Sequence, residues 1–397
     1  MYTKNWSCGR VARHQSAKLC TAVRIRSRPQ KSSVHSELFL FYTLLNKDFL
    51  TIIFHPLLIP LPKNYRMEVL VTGPDGVLGS NLVRELLSRD YNVSVLLEPG
   101  KEPITLRGLP IQSFYGNILD KEALDKAFEG KDVVLHCAAS TSVFPARSEI
   151  VNRVNIDGTQ NIIDAALKHK VKRMIYVGTA NSFGYGTTHE NPGKEGDPYY
   201  SIKYGVDYMD SKYKAQNLVL KAVADQGLPA VVVNPTFMIG PYDSRPSSGA
   251  MILALHKGKV PGYTTGGKNF VAVKDVAFAM ANAIEMGRIG ECYILGNANL
   301  SYKQAFDLMA KTINVKPPTR KLTTFMVTTY GTLNSFFAKI FNYYPAVTKE
   351  LSIISCENHF YSVEKARQEL KLPQTPIETA VTECYNWFVE NGYIKTK

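Results

Sequence analysis

Two tyrosine–lysine pairs stand close together in the stretch YYSIKYGVDYMDSKYKAQ, residues 199–216. Tyr199 lies four positions before Lys203, and Tyr208 four positions before Lys212. On a helix that spacing puts both side chains on one face. An ammonium beside a phenol favours the phenolate, which can take a proton from a substrate and return it. Either pair therefore has the residue types of an acid–base couple. The surroundings favour Tyr208 and Lys212. After Lys212 the run YKAQNLVLKAVADQG continues a helix, with Ala215, Leu218, Leu220 and Val223 available for packing. Tyr199 and Lys203 follow NPGKEGDP, whose proline and glycines read as a loop. A purely structural role for both pairs is the remaining reading.

A second chemical motif is VTGPDGVLGS, with Gly73, Gly76 and Gly79 between an apolar run and an amphipathic one. The first glycine permits a tight turn. The second lets backbone approach a pyrophosphate, and the third lets the helix lie close to the sheet. Three glycines alone say little. A strand before them, a helix after them and an acid at the end of the next strand make a dinucleotide loop. That acid is Glu98, 19 residues beyond Gly79. A carboxylate there accepts hydrogen bonds from ribose hydroxyls and repels a 2′-phosphate, so NAD is expected over NADP. Lys101 nearby would soften that preference.

These residues need a scaffold. From Met67 short apolar runs alternate with helical patterns. MEVLVTG, NVSVLLE, IQSFYG, DVVLHCA, RMIYVGT and PAVVVNP read as six strands. LGSNLVRELLSRD, KEALDKAFEG, NRVNIDGTQNIIDAALKHK and the run from Val206 to about Gln226 read as helices between them. Alternation of this kind means an α/β fold with a doubly wound parallel sheet, a Rossmann fold. After Pro235 the pattern becomes irregular. FMIGPYDSRPSSG reads as a loop, NFVAVKDVAFAMANAIEMG as a short strand and helix, ECYILGN as a strand and SYKQAFDLMAKTI as a helix. Three regions are expected: an extension over 1–66, an NAD-binding domain over 67–235, and a smaller, mostly helical substrate-binding region over 236–397. One strand or helix of the last is expected to pack back on the Rossmann domain.

Several stretches together resemble the extended short-chain dehydrogenase/reductase superfamily, the NAD-dependent epimerase/dehydratase family. They are the Gly-x-x-Gly-x-x-Gly loop after Thr72, HCAAS, VNIDGTQNII, VGTANSFG, YMDSK and NPTFMIGP. GPYDSRPSSG, GGKNFVAVKDVA, GRIGECYILGNANLSY and FYSVEKARQELKL are similar to its dihydroflavonol reductase-like branch, which includes hopanoid-associated sugar epimerases. The resemblance implies a catalytic set of Thr179, Tyr208 and Lys212. Ser211 before Lys212 matches the family, whereas Ile202 precedes Lys203. Thr179 falls at the family's strand-five hydroxyl, with Ser182 as runner-up. The resemblance also implies a cofactor site of Gly73, Asp75, Gly76, Val77, Leu78, Gly79, Glu98, Asn117, Ile118, Ala138, Asn155, Tyr208, Lys212 and Pro235. Asn117 stands where the family often has Asp, which puts the adenine contact in question. Asn155 is read as a brace for strand four, or else as a helix-surface amide. His136 has no ligand-spaced partner and is read as structural, so no metal is expected. Asp275 is expected to cap the helix that follows it.

Three functions fit: an NAD-dependent oxidoreductase interconverting a secondary alcohol and a ketone, a sugar epimerase that retains its NAD, and a non-catalytic NAD-binding regulator. Arg245, Lys257, Lys259 and Lys268 are the cations available for a substrate diphosphate. Met326, Tyr330, Leu333, Phe337, Ile340 and Tyr344 fall at helical spacing. They would serve core or dimer packing, an apolar substrate pocket, or contact with a membrane surface.

The formal charge of +13 is concentrated at the N-terminus, where residues 1–66 hold 11 Lys and Arg against Glu37 and Asp48. The remainder has 36 bases and 32 acids, which gives no reason to expect nucleic acid as a partner. The extension reads as dispensable, as sequence upstream of the true start, as an organellar targeting segment, or as a membrane-associated arm. Its apolar pieces are too short to span a bilayer. Six cysteines without a CxxC pair point to reduced thiols and a cytoplasmic setting. A small-molecule substrate and a homodimer complete the expected partners.

Overall fold

The computed structural model describes residues 66–395. Every expectation about residues 1–65 lies outside the described residues. The main sheet has seven strands, all parallel: β1 (Glu68–Thr72), β2 (Asn92–Leu97), β3 (Gln112–Tyr115), β4 (Val133–His136), β5 (Arg173–Val177), β6 (Ala230–Pro235) and β9 (Cys292–Leu295). Their order is β3-β2-β1-β4-β5-β6-β9. The doubly wound parallel fold read from the alternation is therefore present.

The strands explain themselves by their two faces. Side chains alternate along a strand, and both faces here are apolar. Val69, Val71, Val95, Leu135 and Val233 meet α1 (Val77–Ser88) and α7 (Val273–Ala283) on one side. Leu70, Leu96, Val134, Met174 and Val232 meet α2 (Lys121–Phe128), α4 (Gly158–Lys168) and α5 (Asp207–Gln226) on the other. The long helix expected before β5 is broken into three pieces: α3 (Glu149–Asn152), a π-helical turn Arg153–Asp157, and α4. The wide turn carries Asn155. Such turns are frequent at functional sites.

Beyond Pro235 the expected strand and helix (Gly267–Ala272, Val273–Ala283), strand (Cys292–Leu295) and helix (Tyr302–Thr312) are present, and the chain departs from expectation in the loop. Phe237–Ile239 forms a strand, β7, inside the expected loop; three residues are too few to show a period. It pairs with β8 (Gly267–Ala272) in a second, four-stranded sheet completed by β10 (Ala298–Ser301) and β11 (Asn358–His359). That sheet, α6 (Ala250–His256), α8 (Tyr302–Thr312) and α12 (Ile377–Glu390) enclose a separate core around Phe270, Phe306, Trp387 and Phe388. Asp275 does not cap α7. Ala272 is the N-cap residue, and the Asp275 carboxylate instead accepts from Thr375 N at 2.8 Å and Thr375 Oγ1 at 2.7 Å. It ties the start of the C-terminal helix to the core.

The apolar stripe at 326–344 is a second correction. It forms α9 (Thr324–Phe341), but its large side chains are not core: Met326, Tyr330, Leu333, Phe337, Ile340 and Tyr344 are all exposed. Val327, Gly331 and Ala338 are buried instead, with α9 packed on α10 (Lys349–Ile354). Among the described residues no helix is long and apolar enough to cross a membrane.

Candidate active site

The glycine loop follows β1. Gly73 takes φ +67°, and a Cβ there would lie 2.6 Å from Ala138 N, so the loop presses directly on the exit of β4. A Cβ on Gly79 would lie 2.1 Å from Gly73 O; this glycine lets α1 begin against the turn itself. Gly76 differs. A Cβ there would meet nothing closer than Gly73 O at 3.6 Å. The protein has room for a side chain at 76. Glycine there keeps the space above the loop clear. Gly76 is the N-cap of α1, with no capping side chain and no acid in the first turn. The N–H groups of Val77 and Leu78 thus open a helix whose positive end is uncompensated. A cleared cradle and a bare helix N-terminus fit a dinucleotide pyrophosphate.

Glu98, Asn117, Ala138 and Pro235 of the expected cofactor set lie at or just beyond the C-terminal ends of parallel strands. Thr72 Oγ1 accepts from Ala138 N at 3.3 Å and contacts His136 Nδ1 at 2.7 Å. His136 Nε2 lies 3.3 Å from Thr159 Oγ1, which donates to Asn155 O at 2.7 Å. One tautomer satisfies the whole chain, with the proton on Nε2 and Nδ1 accepting from Thr72. Burial, then the nearby Lys212 charge, pushes His136 down to about 3, so it is neutral, with both ring nitrogens hydrogen-bonded. Gly158 admits Ile118, since a Cβ there would lie 2.6 Å from Ile118 Cδ1. Asn117 is exposed, and its Oδ1 accepts from Leu119 N at 2.9 Å. Asp75 holds Arg245 at 2.7 Å and Lys101 at 3.8 Å. Lys101 also pairs with Glu98, which is exposed at the end of β2. Pro235 is buried beside Leu295 in the sheet.

The two tyrosine–lysine pairs have different fates. Tyr199 Oη donates to Asp210 Oδ1 at 2.6 Å, and its ring stacks on Tyr213 with centroids 4.3 Å apart. Lys203 reaches Glu357 at 2.7 Å. Tyr199 precedes the short 3₁₀ turn Ser201–Tyr204, which Gly205 ends at φ +63°. The pair shares no helix face, and each member is bonded elsewhere. Tyr208 and Lys212 lie in the first turns of α5. Asp207 and Asp210 complement the positive end of that helix, and Arg147 Nη1 donates to them at 2.8 and 2.9 Å.

Tyr208 is half-buried and packs against the cluster of Tyr204, Val206, Met209 and Ile354, whose rim also carries Val143, Tyr185, Leu351 and Ile353. Thr179, at the exit of β5, offers its hydroxyl to the Tyr208 phenol. The expected lowering of Tyr208 is not found. Desolvation raises it above its ordinary value, and only the Thr179 hydroxyl works the other way. The reason lies with Lys212. Its Nζ donates to Val177 O at 2.6 Å and sits over the Tyr176 ring at 4.5 Å. Burial pulls Lys212 down from an ordinary value near 10.5 to about 7, which Cys137 only partly offsets. A measurable consequence follows. The unfolded chain holds the Lys212 proton up to about pH 10.5, the folded chain only to about pH 7. Between those values the unfolded state binds more protons, so this residue makes stability rise with pH. Urea midpoints at pH 7 and pH 9 are expected to diverge less in Lys212→Met than in the native chain. An equal divergence would place Lys212 in solvent.

Asn155 braces the exit of β4, as read from the sequence, and the geometry adds supports that no motif announced. Asn155 accepts from Ser140 N at 2.7 Å, and its amide donates to Ser140 O at 3.0 Å and Ser211 Oγ at 2.9 Å. Both amide protons are committed, so its side chain braces the β4 exit against α5. Asn234 donates to Thr179 O at 3.0 Å and to Gln216 Oε1 at 2.6 Å. A Cβ on Gly178 would lie 2.4 Å from Asn234 Nδ2, so Asn234 and Gln216 underlie the corner that presents Thr179. Ser182 Oγ is buried and has no hydrogen-bond partner among the described residues. Glu357 gathers Tyr185 at 2.6 Å and Tyr204 at 3.0 Å beside the Tyr208 cluster. These pairs span 15 to 172 positions of sequence. Only the buried amide types, Asn and Gln, could have hinted at them. Among the described residues no group of three or more His, Cys, Asp or Glu is placed to hold a metal ion.

A seven-stranded parallel sheet with a glycine cradle at one strand exit defines a dinucleotide-binding enzyme scaffold. The chain belongs to the NAD dependent epimerase/dehydratase family, whose profile matches residues 69–296, within the extended short-chain dehydrogenase/reductase superfamily. It is an NAD(P)-dependent enzyme of that type. It is 31% identical to a dihydroflavonol 4-reductase-like protein of Synechocystis over 82% of this chain and 96% of that one. It is 27% identical to the sterol demethylase protein B of Methylococcus capsulatus over 83% of this chain and 100% of that one. Among solved structures, that of gox2253 superposes with a TM-score of 0.73 at 32% identity, covering 83% and 99% of the two chains.

Proposed function

We propose that this protein interconverts an apolar secondary alcohol and its ketone, with NAD as hydride carrier, Tyr208 as acid and base, and Thr179 and Lys212 as its partners. The observation that supports this most directly is the meeting of the Tyr208 phenol and the Thr179 hydroxyl, with the buried Lys212 one turn further along the same helix. Gly73, Gly76, Gly79 and the open end of α1 would hold the pyrophosphate, and Glu98 the adenosine ribose. Bound NAD supplies a hydride acceptor at the substrate carbon. Thr179 holds the substrate oxygen and Tyr208 takes its proton. Lys212 steadies the phenolate and the nicotinamide ribose. Asn155, Asn234 and Gln216 position these groups and touch no reacting atom.

The apolar character of the substrate rests on the cluster that Tyr208 packs against, Tyr204, Val206, Met209 and Ile354, with Val143, Tyr185, Leu351 and Ile353 on its rim. Of the cations available for a diphosphate, Arg245 is paired with Asp75, while Lys257 and Lys259 follow α6 at the surface. Lys268 is half-buried above the Phe237 ring at 5.6 Å. The names of the two curated relatives, a dihydroflavonol reductase and a sterol demethylase protein, point to ring-containing alcohols or ketones. A panel of flavonol, sterol and nucleotide-sugar substrates, read by NADH absorbance, tests the proposal. NADH production from a ring alcohol is expected. A tightly retained cofactor with turnover only of nucleotide sugars, and no net NADH, would instead make this an epimerase.

The cofactor preference has its own test. Glu98→Ala is expected to raise NADP affinity relative to NAD by about tenfold, because the carboxylate no longer repels the 2′-phosphate. Unchanged relative affinities in a binding titration would remove Glu98 from the cofactor site.

A further inference from the structure

Helix α9 carries its large apolar side chains on the wrong side for a core helix. Its buried face is made of small residues, and Gly331 allows the close approach: a Cβ there would lie 2.6 Å from Ser352 Oγ and 2.7 Å from Thr348 O. Phe325, Tyr330, Leu333, Phe336, Ile340 and Phe341 all face solvent, Phe325 at 78% exposure and Phe341 at 69%. A continuous patch of that kind on a folded surface marks a contact site. The segment that carries it is basic, and it is flanked in sequence by Asp307 and Glu350. Residues 308–349 contain six bases, Lys311, Lys316, Arg320, Lys321, Lys339 and Lys349, and no acid. All six are exposed, and none is ion-paired among the described residues.

We propose that α9 lies in the surface of a bilayer that bears anionic headgroups. An exposed apolar helix face within a basic segment is the arrangement that such a surface accepts. The helix is too short and too polar to cross, so it would rest in the interfacial plane. Charge separates this occupant from the others. A second copy of the chain docked on the same face would bring two basic segments together. The extension over 1–66, with 11 bases against two acids, carries the same sign. The segment also reaches the cluster that Tyr208 packs against. Tyr344 Oη accepts from Val143 N at 3.4 Å and meets the Phe144 ring edge-on at 6.0 Å. Val143, with Leu351 and Ile353 beneath α9, belongs to the cluster that contains Tyr208. The inference itself stands on exposure and charge and does not depend on which reaction is catalysed.

Flotation of the full chain with phosphatidylcholine vesicles, with and without phosphatidylserine, tests it. The native chain is expected to float with the phosphatidylserine vesicles, and less so at high salt. Phe336→Glu/Ile340→Glu is expected to weaken binding by at least about tenfold with no change in thermal midpoint or in size by light scattering. Arg320→Ser/Lys321→Ser is expected to bind more weakly and with a shallower salt dependence. Three results would overturn the proposal. One is no flotation of the native chain. Another is flotation unaffected by the α9 substitutions, which would assign binding to another segment. The third is a fall in oligomer size in Phe336→Glu/Ile340→Glu, which would make α9 an interface between copies.

Discussion

Tyr208→Phe is expected to lower turnover by roughly 10²–10⁴-fold, the range that a positioned acid–base group contributes, while NAD affinity stays within a factor of about two. The phenylalanine ring keeps the packing against the Tyr204, Val206, Met209 and Ile354 cluster, so what it removes is the hydroxyl beside Thr179. The same environment sets a pH dependence. Desolvation holds Tyr208 above its ordinary value in the protein alone, so the phenol is protonated at neutral pH. That form donates a proton to a ketone. Alcohol oxidation needs the phenolate and is expected to speed up as pH rises through the alkaline range, while ketone reduction falls over the same range. Steady-state kinetics of both directions, with a parallel NAD titration, checks this. If Tyr208→Phe turns over substrate at the native rate, the proton passes through another group and the proposed mechanism is wrong.

The glycine loop yields the second large effect, and it separates fold from function. Gly76→Ala is expected to weaken NAD binding by at least about tenfold and to cost no more than about 1 kcal/mol of stability, the loss of a favourable N-cap residue. The space its Cβ would enter is free of protein, with the nearest atom 3.6 Å away. Gly79→Ala is expected to cost about 1–3 kcal/mol before any cofactor is added, because its Cβ would lie 2.1 Å from Gly73 O. Urea midpoints and NAD titrations on the two variants give the comparison. The cradle reading fails if Gly76→Ala binds NAD as the native chain does. The account of Gly79 fails if that variant is as stable as the native chain.

Much of the frame was legible because the rules behind it act over short distances. Both faces of the β1 and β6 strands are apolar, and Val69, Leu70 and Val71 already show that in three letters. Where the chain has little local signal, reading stops. Phe237–Ile239 is a strand only because β8 offers it partners. Asp275 has the residue type of a helix cap, but Thr375, 100 positions away, takes its carboxylate. Along α9 a helical repeat of large apolar residues was plain, yet periodicity cannot say which face is covered. That depended on Gly331 and the small residues near it meeting α10.

The amino-acid order by itself determined the dinucleotide loop, the doubly wound scaffold, and the choice of Tyr208 and Lys212 as candidates. Each is a matter of sterics or periodicity within a turn or two, where neighbours in sequence are neighbours in space. The tertiary structure alone decided how the candidates are held. It placed Lys203 on Glu357 and Tyr199 on Asp210, set Asn234 and Gln216 under Thr179, and drew Lys212 to Val177 O. It also left Tyr208 raised rather than lowered. Hydrogen-bond partners and desolvation depend on which distant elements dock together, and no local spacing encodes that.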